Sequence, residues 1–195
     1  MRTRIILFII LSGWLSSIVN GQQYVVDKKA TIISGSASFM SQGGDLYEVD
    51  GNNATTFTFA PNINHFITKN IFIGGSLEFT TESQGDYKSN GIGIGPQIGL
   101  ALGGPQNKVF PYFDLGIRYY RMKSDYSSDF DIQFSGSDIS LGFGIIVPVK
   151  AHIGLIFEGG YHMQDLKAKD YDESYSGKIF SIGIGIAGLI FQSGS

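Results

Sequence analysis

The chain has 195 residues, no cysteine, 27 glycines, 15 phenylalanines, 10 tyrosines and a formal net charge of −3. The absence of cysteine excludes a disulfide-stapled domain, a zinc ribbon and a thiol enzyme. With 16% charged and 13% aromatic residues, the chain is neither disordered nor a basic nucleic-acid binder. We therefore expect one folded domain, without a nucleic-acid partner, in which glycine is about twice as frequent as usual.

The first segment, residues 1–21, is predicted to be a secretory signal peptide. Arg2 and Arg4 precede an apolar run at residues 5–15, and Gly21 is a small residue before the predicted cleavage site. That run is too short for a membrane-spanning helix, which needs about 20 residues. Its removal takes away two arginines and no acid, so the net charge becomes −5 for the predicted barrel domain, residues 22–195.

The rest of the chain follows the two-residue period of β-strands. Between Gly91 and Leu102, for example, one face is apolar and the other is made of glycine, alanine and glutamine. Eight such segments are predicted: Thr31–Met40, Thr55–Asn64, Ile71–Thr80, Gly91–Leu102, Val109–Met122, Ser137–Val149, His152–Gln164 and Lys178–Phe191.

The apolar faces of these strands must point outward. A soluble barrel fills its interior with large apolar side chains, whereas the small and polar faces of this chain cannot form such a core. Apolar faces exposed to water would exceed the patches that soluble proteins tolerate. Roughly ten-residue alternating segments are typical of transmembrane barrels, which must close to satisfy their backbone groups in lipid. We predict an all-β, eight-stranded, antiparallel up-and-down transmembrane β-barrel.

The connections between the strands alternate in length, as in outer-membrane barrels. Their charges also differ: the long connections sum to −8 and the short ones to +3. An alternative with ten strands stays open if a long connection such as 123–136 forms a further hairpin. The long connections are 41–54, 81–90, 123–136 and 165–177, and the short ones are 65–70, 103–108 and 150–151.

Two stretches, residues 57–75 and 111–120, resemble the small outer-membrane β-barrel proteins of the OmpA/OmpX type from Gram-negative bacteria. The first reads Phe-Thr-Phe-Ala-Pro-Asn-Ile-Asn-His-Phe-Ile-Thr-Lys-Asn-Ile-Phe-Ile-Gly-Gly and is similar to a hairpin common in that family. The resemblance implies a monomer in the outer membrane that depends on the barrel-assembly machinery for insertion. Such barrels usually end on an outward-facing Phe, whereas Phe191 is out of phase with the preceding outward residues, and a bulge near Gly188 would restore the phase.

The inward faces contain an unusual set of polar residues. We predict an interior polar network of Glu78, Asp114, Arg118 and Glu158, packed as a plug because side chains just fill an eight-stranded barrel. The same faces carry Asp138, His162, Tyr112, Tyr120 and Gln97. No catalytic, cofactor-binding or metal-binding residues are predicted.

The predicted function is a structural or surface-interaction role in membrane integrity or adhesion, without catalysis. Outer-membrane lipid and lipopolysaccharide are the expected partners, and the acidic, aromatic loops are the candidate recognition surface. The first alternative is a small channel for ions or small solutes. The second is a barrel enzyme that modifies lipid A, for which His162 is the only histidine near the outer end of a strand, with no serine two residues away.

Overall fold

A computed structural model describes residues 28–42, 50–103, 109–125, 131–150, 152–169 and 174–190. The predicted signal peptide and Phe191 lie outside these residues. Within them, no helix is long and apolar enough to cross a membrane. The regular elements are eight strands: β1 Thr31–Gln42, β2 Ala54–Phe66, β3 Ile71–Gln84, β4 Tyr87–Ala101, β5 Phe110–Asp125, β6 Asp131–Lys150, β7 Ile153–Ala168 and β8 Ser174–Ile190.

The eight strands form one closed antiparallel barrel, in which each strand pairs with its neighbours in sequence and β1 pairs with β8. The register defines how far the strands are staggered. A path of paired residues that starts at Ala37 and goes once around the ring reaches Ser174, whereas Ala37 itself pairs with Ile184. The stagger is therefore ten residues, which corresponds to a strand tilt of about 40° at ordinary strand spacings.

The predicted fold class and all eight strands are confirmed, but the strands extend further toward the long-loop end. The 81–90 connection is not a long loop: β3 and β4 continue into it and join at Gly85-Asp86, with φ 59° at Gly85, a conformation that glycine adopts readily. The 123–136 segment extends β5 and β6 and adds no hairpin, so the ten-stranded alternative is wrong. The register passes through Gly188 without a bulge, and the irregularity lies instead at Pro148/Lys150.

The outer surface carries a continuous apolar band. Along β4 and the residue that follows it, every second residue from Ile92 to Leu102 points outward, and these five aliphatic side chains and Pro96 are exposed. At this tilt the band is about 25 Å tall, the height of the apolar band of outer-membrane barrels. Asn90 and Lys88 follow on the same face. The exterior is therefore built to contact hydrocarbon, with a polar rim toward the long loops.

The interior has two layers along the barrel axis. The short-turn end is closed by an apolar plug, which comprises Ala30, Ile32, Phe66, Phe72, Ala101, Phe110, Ile146, Ile156, Ala187 and Leu189. Polar and charged side chains occupy the layer above it. Within this polar layer, most of the large side chains come from β3 to β7, whereas β8, β1 and β2 contribute small ones such as Ser36, Ala60 and Gly183. A cavity of about 120 Å³ lies against these small residues.

Candidate functional site

Arg118 on β5 is the centre of the interior polar layer. Its Nη1 lies 2.7 Å from Glu78 Oε2, its Nη2 2.6 Å from Asp138 Oδ2, and its Nε 2.8 Å from the same Asp138 oxygen. All three side chains are at most 10% exposed. Asp138 is the direct register partner of Arg118 on β6, while Glu78 belongs to β3 and reaches past β4. The cluster therefore joins strands that are not neighbours in the sheet.

Glycines on β4 make room for this contact between β3 and β5. A Cβ added at Gly93 would lie 2.8 Å from the ring of Tyr120, and one at Gly95 would lie 1.9 Å from the backbone oxygen of Ile117. A side chain at either position would collide with β5. The close approach of β4 and β5 thus explains why this strand alternates glycine with large apolar residues.

His162 on β7 completes the cluster as a hydrogen-bond acceptor. Its Nδ1 lies 2.6 Å from Arg118 Nη2 and 3.5 Å from Asp138 Oδ2. Because a guanidinium group has only donors, Nδ1 accepts this bond. Among the described residues no serine hydroxyl is hydrogen-bonded to His162. A general base in nucleophilic catalysis is hydrogen-bonded to its nucleophile. His162 is instead bonded to Arg118, which is the geometry of a structural histidine.

The other two residues of the predicted network, Asp114 and Glu158, lie in the same layer but do not contact Arg118. Tyr112 donates a 2.6 Å hydrogen bond to Glu158 Oε2, and the Asp114 carboxylate lies over Gly142, where an added Cβ would be 2.4 Å from Oδ2. Within the described residues, neither carboxylate has an ion-pair partner. Four buried or half-buried carboxylates thus share this layer with Arg118, the one cationic side chain buried in the described interior.

The remaining polar residues that were predicted to face inward are also in the interior. Gln97 donates a 2.6 Å hydrogen bond to Asn64 Oδ1, and Tyr120 is 4% exposed. His65 and His152 lie at the short-turn end, where they contact Thr31 and the backbone oxygen of Leu189. His162 lies in the polar layer, away from this end, and the described residues contain no group of three or more metal-ligating side chains.

A second set of residues, which loop charges alone did not reveal, lies just above the apolar band on four of the eight strands, β4, β5, β7 and β8. On β5 the outward apolar residues end at Tyr119 and the next outward residue is Arg121; on β8 they end at Phe180 and the next is Lys178. Lys88, Lys123 and Lys167 occupy outward positions slightly higher on β4, β5 and β7. We call these five exposed cations the basic belt: Lys88, Arg121, Lys123, Lys167 and Lys178. The sequence could have located them, because the two-residue alternation along each strand assigns these positions to the outward face.

Comparison with known proteins supports the fold. No family model matches the chain, and no curated protein matches it in sequence. Among solved structures, the OprG outer membrane protein of Pseudomonas aeruginosa has a TM-score of 0.59 at 11% identity, over 88% of this chain and 100% of OprG.

Two further structures agree. The N-terminal β-barrel domain of OprF from Pseudomonas aeruginosa has a TM-score of 0.57 at 10% identity, over 84% of this chain and 99% of that one. Ail, the attachment invasion locus protein of Yersinia pestis, has a TM-score of 0.51 at 16% identity, over 84% and 99%. These likenesses concern the fold, and the apolar exterior agrees with them. The chain is an eight-stranded transmembrane β-barrel with the fold of the small outer-membrane proteins, as the resemblance to the OmpA/OmpX type implied.

Proposed function

We propose that the protein stabilises the outer leaflet of the membrane by binding the phosphate groups of lipopolysaccharide through the basic belt. The observation that carries the proposal is the position of Arg121 and Lys178, each the first outward residue after the last apolar one on its strand. Lipid headgroup phosphates lie at this depth, and arginine and lysine are the side chains that bind phosphate most strongly. No catalysis is part of this role.

The closed interior supports a structural role over transport. The apolar plug fills the short-turn end with side chains such as Phe66 and Phe110, which are 1% and 0% exposed. The ion pairs of Arg118 hold the layer above it together. Both features weigh against the alternative of a small channel. The hydrogen bond between His162 Nδ1 and Arg118 weighs against the alternative of a lipid A-modifying enzyme, for which His162 was the candidate base.

The proposal is tested by comparing stability in two lipids. The purified protein is reconstituted in vesicles of phosphatidylcholine alone or with added lipopolysaccharide, and thermal unfolding is followed by circular dichroism. We expect lipopolysaccharide to raise the melting temperature of the natural protein and to raise that of the Arg121→Gln/Lys178→Gln variant much less. The matched control, Lys69→Gln/Lys150→Gln at the short-turn end, should keep the full response. An equal response in all three proteins would contradict the proposal.

Surface attachment is a second candidate, favoured by the height of the strands above the apolar band. β5 continues for six residues beyond Tyr119, to Asp125, which is about 15 Å along the barrel axis at this tilt. The loops that follow are acidic and aromatic in sequence, and the similar fold of Ail belongs to an attachment protein. Binding of cells with and without the protein to extracellular-matrix-coated surfaces would test this role. Loss of binding on replacing residues 126–130 would support it, and unchanged binding would not.

A further inference from the structure

The seam between β1 and β8 is paired along only part of its length. The ladder runs from Thr31–Ile190 to Ala37–Ile184 and ends there, although β1 continues to Gln42 and β8 begins at Ser174. By contrast, β7 and β8 remain paired from Ile153 to Lys167. Within the described residues, the upper halves of β1 and β8 therefore have no partner strand on the sides that face each other.

This open part of the seam lies at the depth of the hydrocarbon. Phe39 and Ile182, whose positions would pair if the ladder continued, point outward and are each 70% exposed, more than the outward residues of the paired part such as Ile33 at 49%. Outward residues of β8 stay apolar up to Phe180, about 13 Å along the strand from Ile184. An open strand edge in hydrocarbon leaves backbone donors and acceptors unsatisfied. A polar group that occupies the opening would relieve that cost.

The cavity described above lies directly behind the opening. Ser36 and Ser38 of β1, Ser181 and Gly183 of β8, and Glu158 of β7 line it. The Oε1 atom of Glu158 lies beside Gly183, since a Cβ added there would be 3.6 Å from it and 3.5 Å from Ser36 Cβ. Among the described residues, only Oε2 of this carboxylate is engaged, by Tyr112. Glu158 thus offers an acceptor at the floor of the opening.

The charge of the interior indicates which group fits there. Glu78 and Asp138 share Arg118, while Asp114 and Glu158 have no cation among the described residues. A primary ammonium group would compensate this charge and could donate hydrogen bonds both to Glu158 and to the serine hydroxyls. An alkyl chain attached to it would extend through the opening, between Phe39 and Ile182, into the lipid.

We propose that the upper β1–β8 seam is a lateral opening through which a membrane-dissolved amphiphile with a primary ammonium headgroup binds, with the headgroup at Glu158. This binding site is separate from the basic belt. It combines three observations: the incomplete ladder, the cavity lined by small polar residues and the uncompensated carboxylate. Because the unpaired part of the ladder opens toward the lipid, the amphiphile enters from the lipid and not from the aqueous rim.

The test uses a dodecylamine that carries a diazirine on a chain carbon close to the amine, with the protein in phosphatidylcholine nanodiscs. After irradiation, labelled residues are mapped by mass spectrometry. We expect labelling of the opening, at 38–40 and 180–183, that unlabelled dodecylamine suppresses. The Glu158→Gln variant should weaken binding by at least about tenfold, because a charge-assisted hydrogen bond is lost. Glu82→Gln, on β3 nearer the rim, is the matched control and should bind as the natural protein does.

A reversible cross-link between β1 and β8 distinguishes entrance through the seam from entrance at the rim. Since the chain has no cysteine, Phe39→Cys/Ile182→Cys can be joined by oxidation or by a short bis-methanethiosulfonate linker and released by reductant. Locking should reduce labelling of 38–40 and 180–183 at least about tenfold, whereas locking Ile33→Cys/Gly188→Cys, an already paired position, should not. Gly183→Leu, which fills the cavity, should also abolish labelling. Undiminished labelling in the locked protein, equal labelling of Glu158→Gln, or no competition by dodecylamine would overturn the proposal.

Discussion

Tyr112 on β5 donates a 2.6 Å hydrogen bond to Glu158 on β7, across the intervening strand β6. The bond passes over Gly144, which is the register partner of both residues and where an added Cβ would lie 2.8 Å from the Tyr112 ring. The interior of this barrel is therefore cross-linked between strands that are not adjacent, and glycines on the strand between them make the contact possible.

Removing the Tyr112 hydroxyl should destabilise the barrel. Tyr112→Phe deletes a hydrogen bond to a carboxylate, and we expect the free energy of unfolding to fall by about 1.5–3 kcal/mol. Urea unfolding in lipid vesicles, followed by circular dichroism, measures the change. The control is Tyr119→Phe, on the same strand but facing outward. It should change the free energy of unfolding by less than about 0.5 kcal/mol. Strict additivity with Glu158→Gln in a double-mutant cycle would contradict the coupling.

Loss of the Arg118 guanidinium should be among the most damaging single changes. Arg118→Met leaves Glu78 and Asp138 buried without a cation, and breaking a buried ion pair costs about 3–5 kcal/mol. The expected result is a large drop in unfolding free energy, or loss of the heat-modifiable folded band on a gel. Arg121→Met, three residues along the same strand and exposed, should remain folded in dodecyl maltoside. Equal stability of the two variants would contradict the assigned role.

Two glycines on neighbouring strands should respond differently to alanine. At Gly95 the new Cβ would lie 1.9 Å from Ile117 O and 2.7 Å from Arg118 Cα, whereas at Gly75 the nearest atom would be 3.8 Å away. Gly95→Ala must displace backbone and should cost about 1–3 kcal/mol. Gly75→Ala should be close to neutral. Unfolding midpoints of the two variants in urea provide the comparison, and a reversed order would be inconsistent with the close approach of β4 and β5.

The apolar plug should be more sensitive than the lipid-facing surface. Phe110 is fully buried, whereas Phe113 is 55% exposed on the outside of the same strand. Phe110→Ala should lower the unfolding free energy by about 3–5 kcal/mol, the usual cost of truncating a buried phenylalanine. Phe113→Ala loses contacts with lipid without leaving a cavity, so its effect should be smaller. A larger effect at Phe113 would mean that the plug does not hold the barrel together.

The plug should also prevent ion flow. In planar bilayers we expect the natural protein to give no steady conductance steps, because the side chains of Phe66, Phe72 and Phe110 close the short-turn end. Insertion must be verified in the same samples by the gel shift on heating. Stable porin-like steps from inserted protein would favour the channel alternative.

Much of the interior was predictable from strand phase alone. Because side chains alternate across a strand, inward positions such as Glu78 and Arg118 follow from the apolar series on the opposite face, and Asp114 and Arg118 were expected to seek partners on other strands. Phase does not specify which strands meet across the interior. Glu78 and Arg118 contact each other only because β4, which separates them, carries glycine at 93 and 95. Asp114 did not join them, since it lies four residues from Arg118 on β5, nearer the short-turn end, over Gly142.

By itself, the sequence determined the number of strands, the outward direction of their apolar faces and the membrane as their surroundings, since these depend on a local two-residue period and on hydrophobicity. Only the tertiary structure decided the ten-residue stagger, the apolar plug, the position of the basic belt above the apolar band and the incomplete β1–β8 ladder. These features depend on register between strands that are distant in sequence. A shift of the register by two residues would leave every outward face apolar while it changed each interior partner.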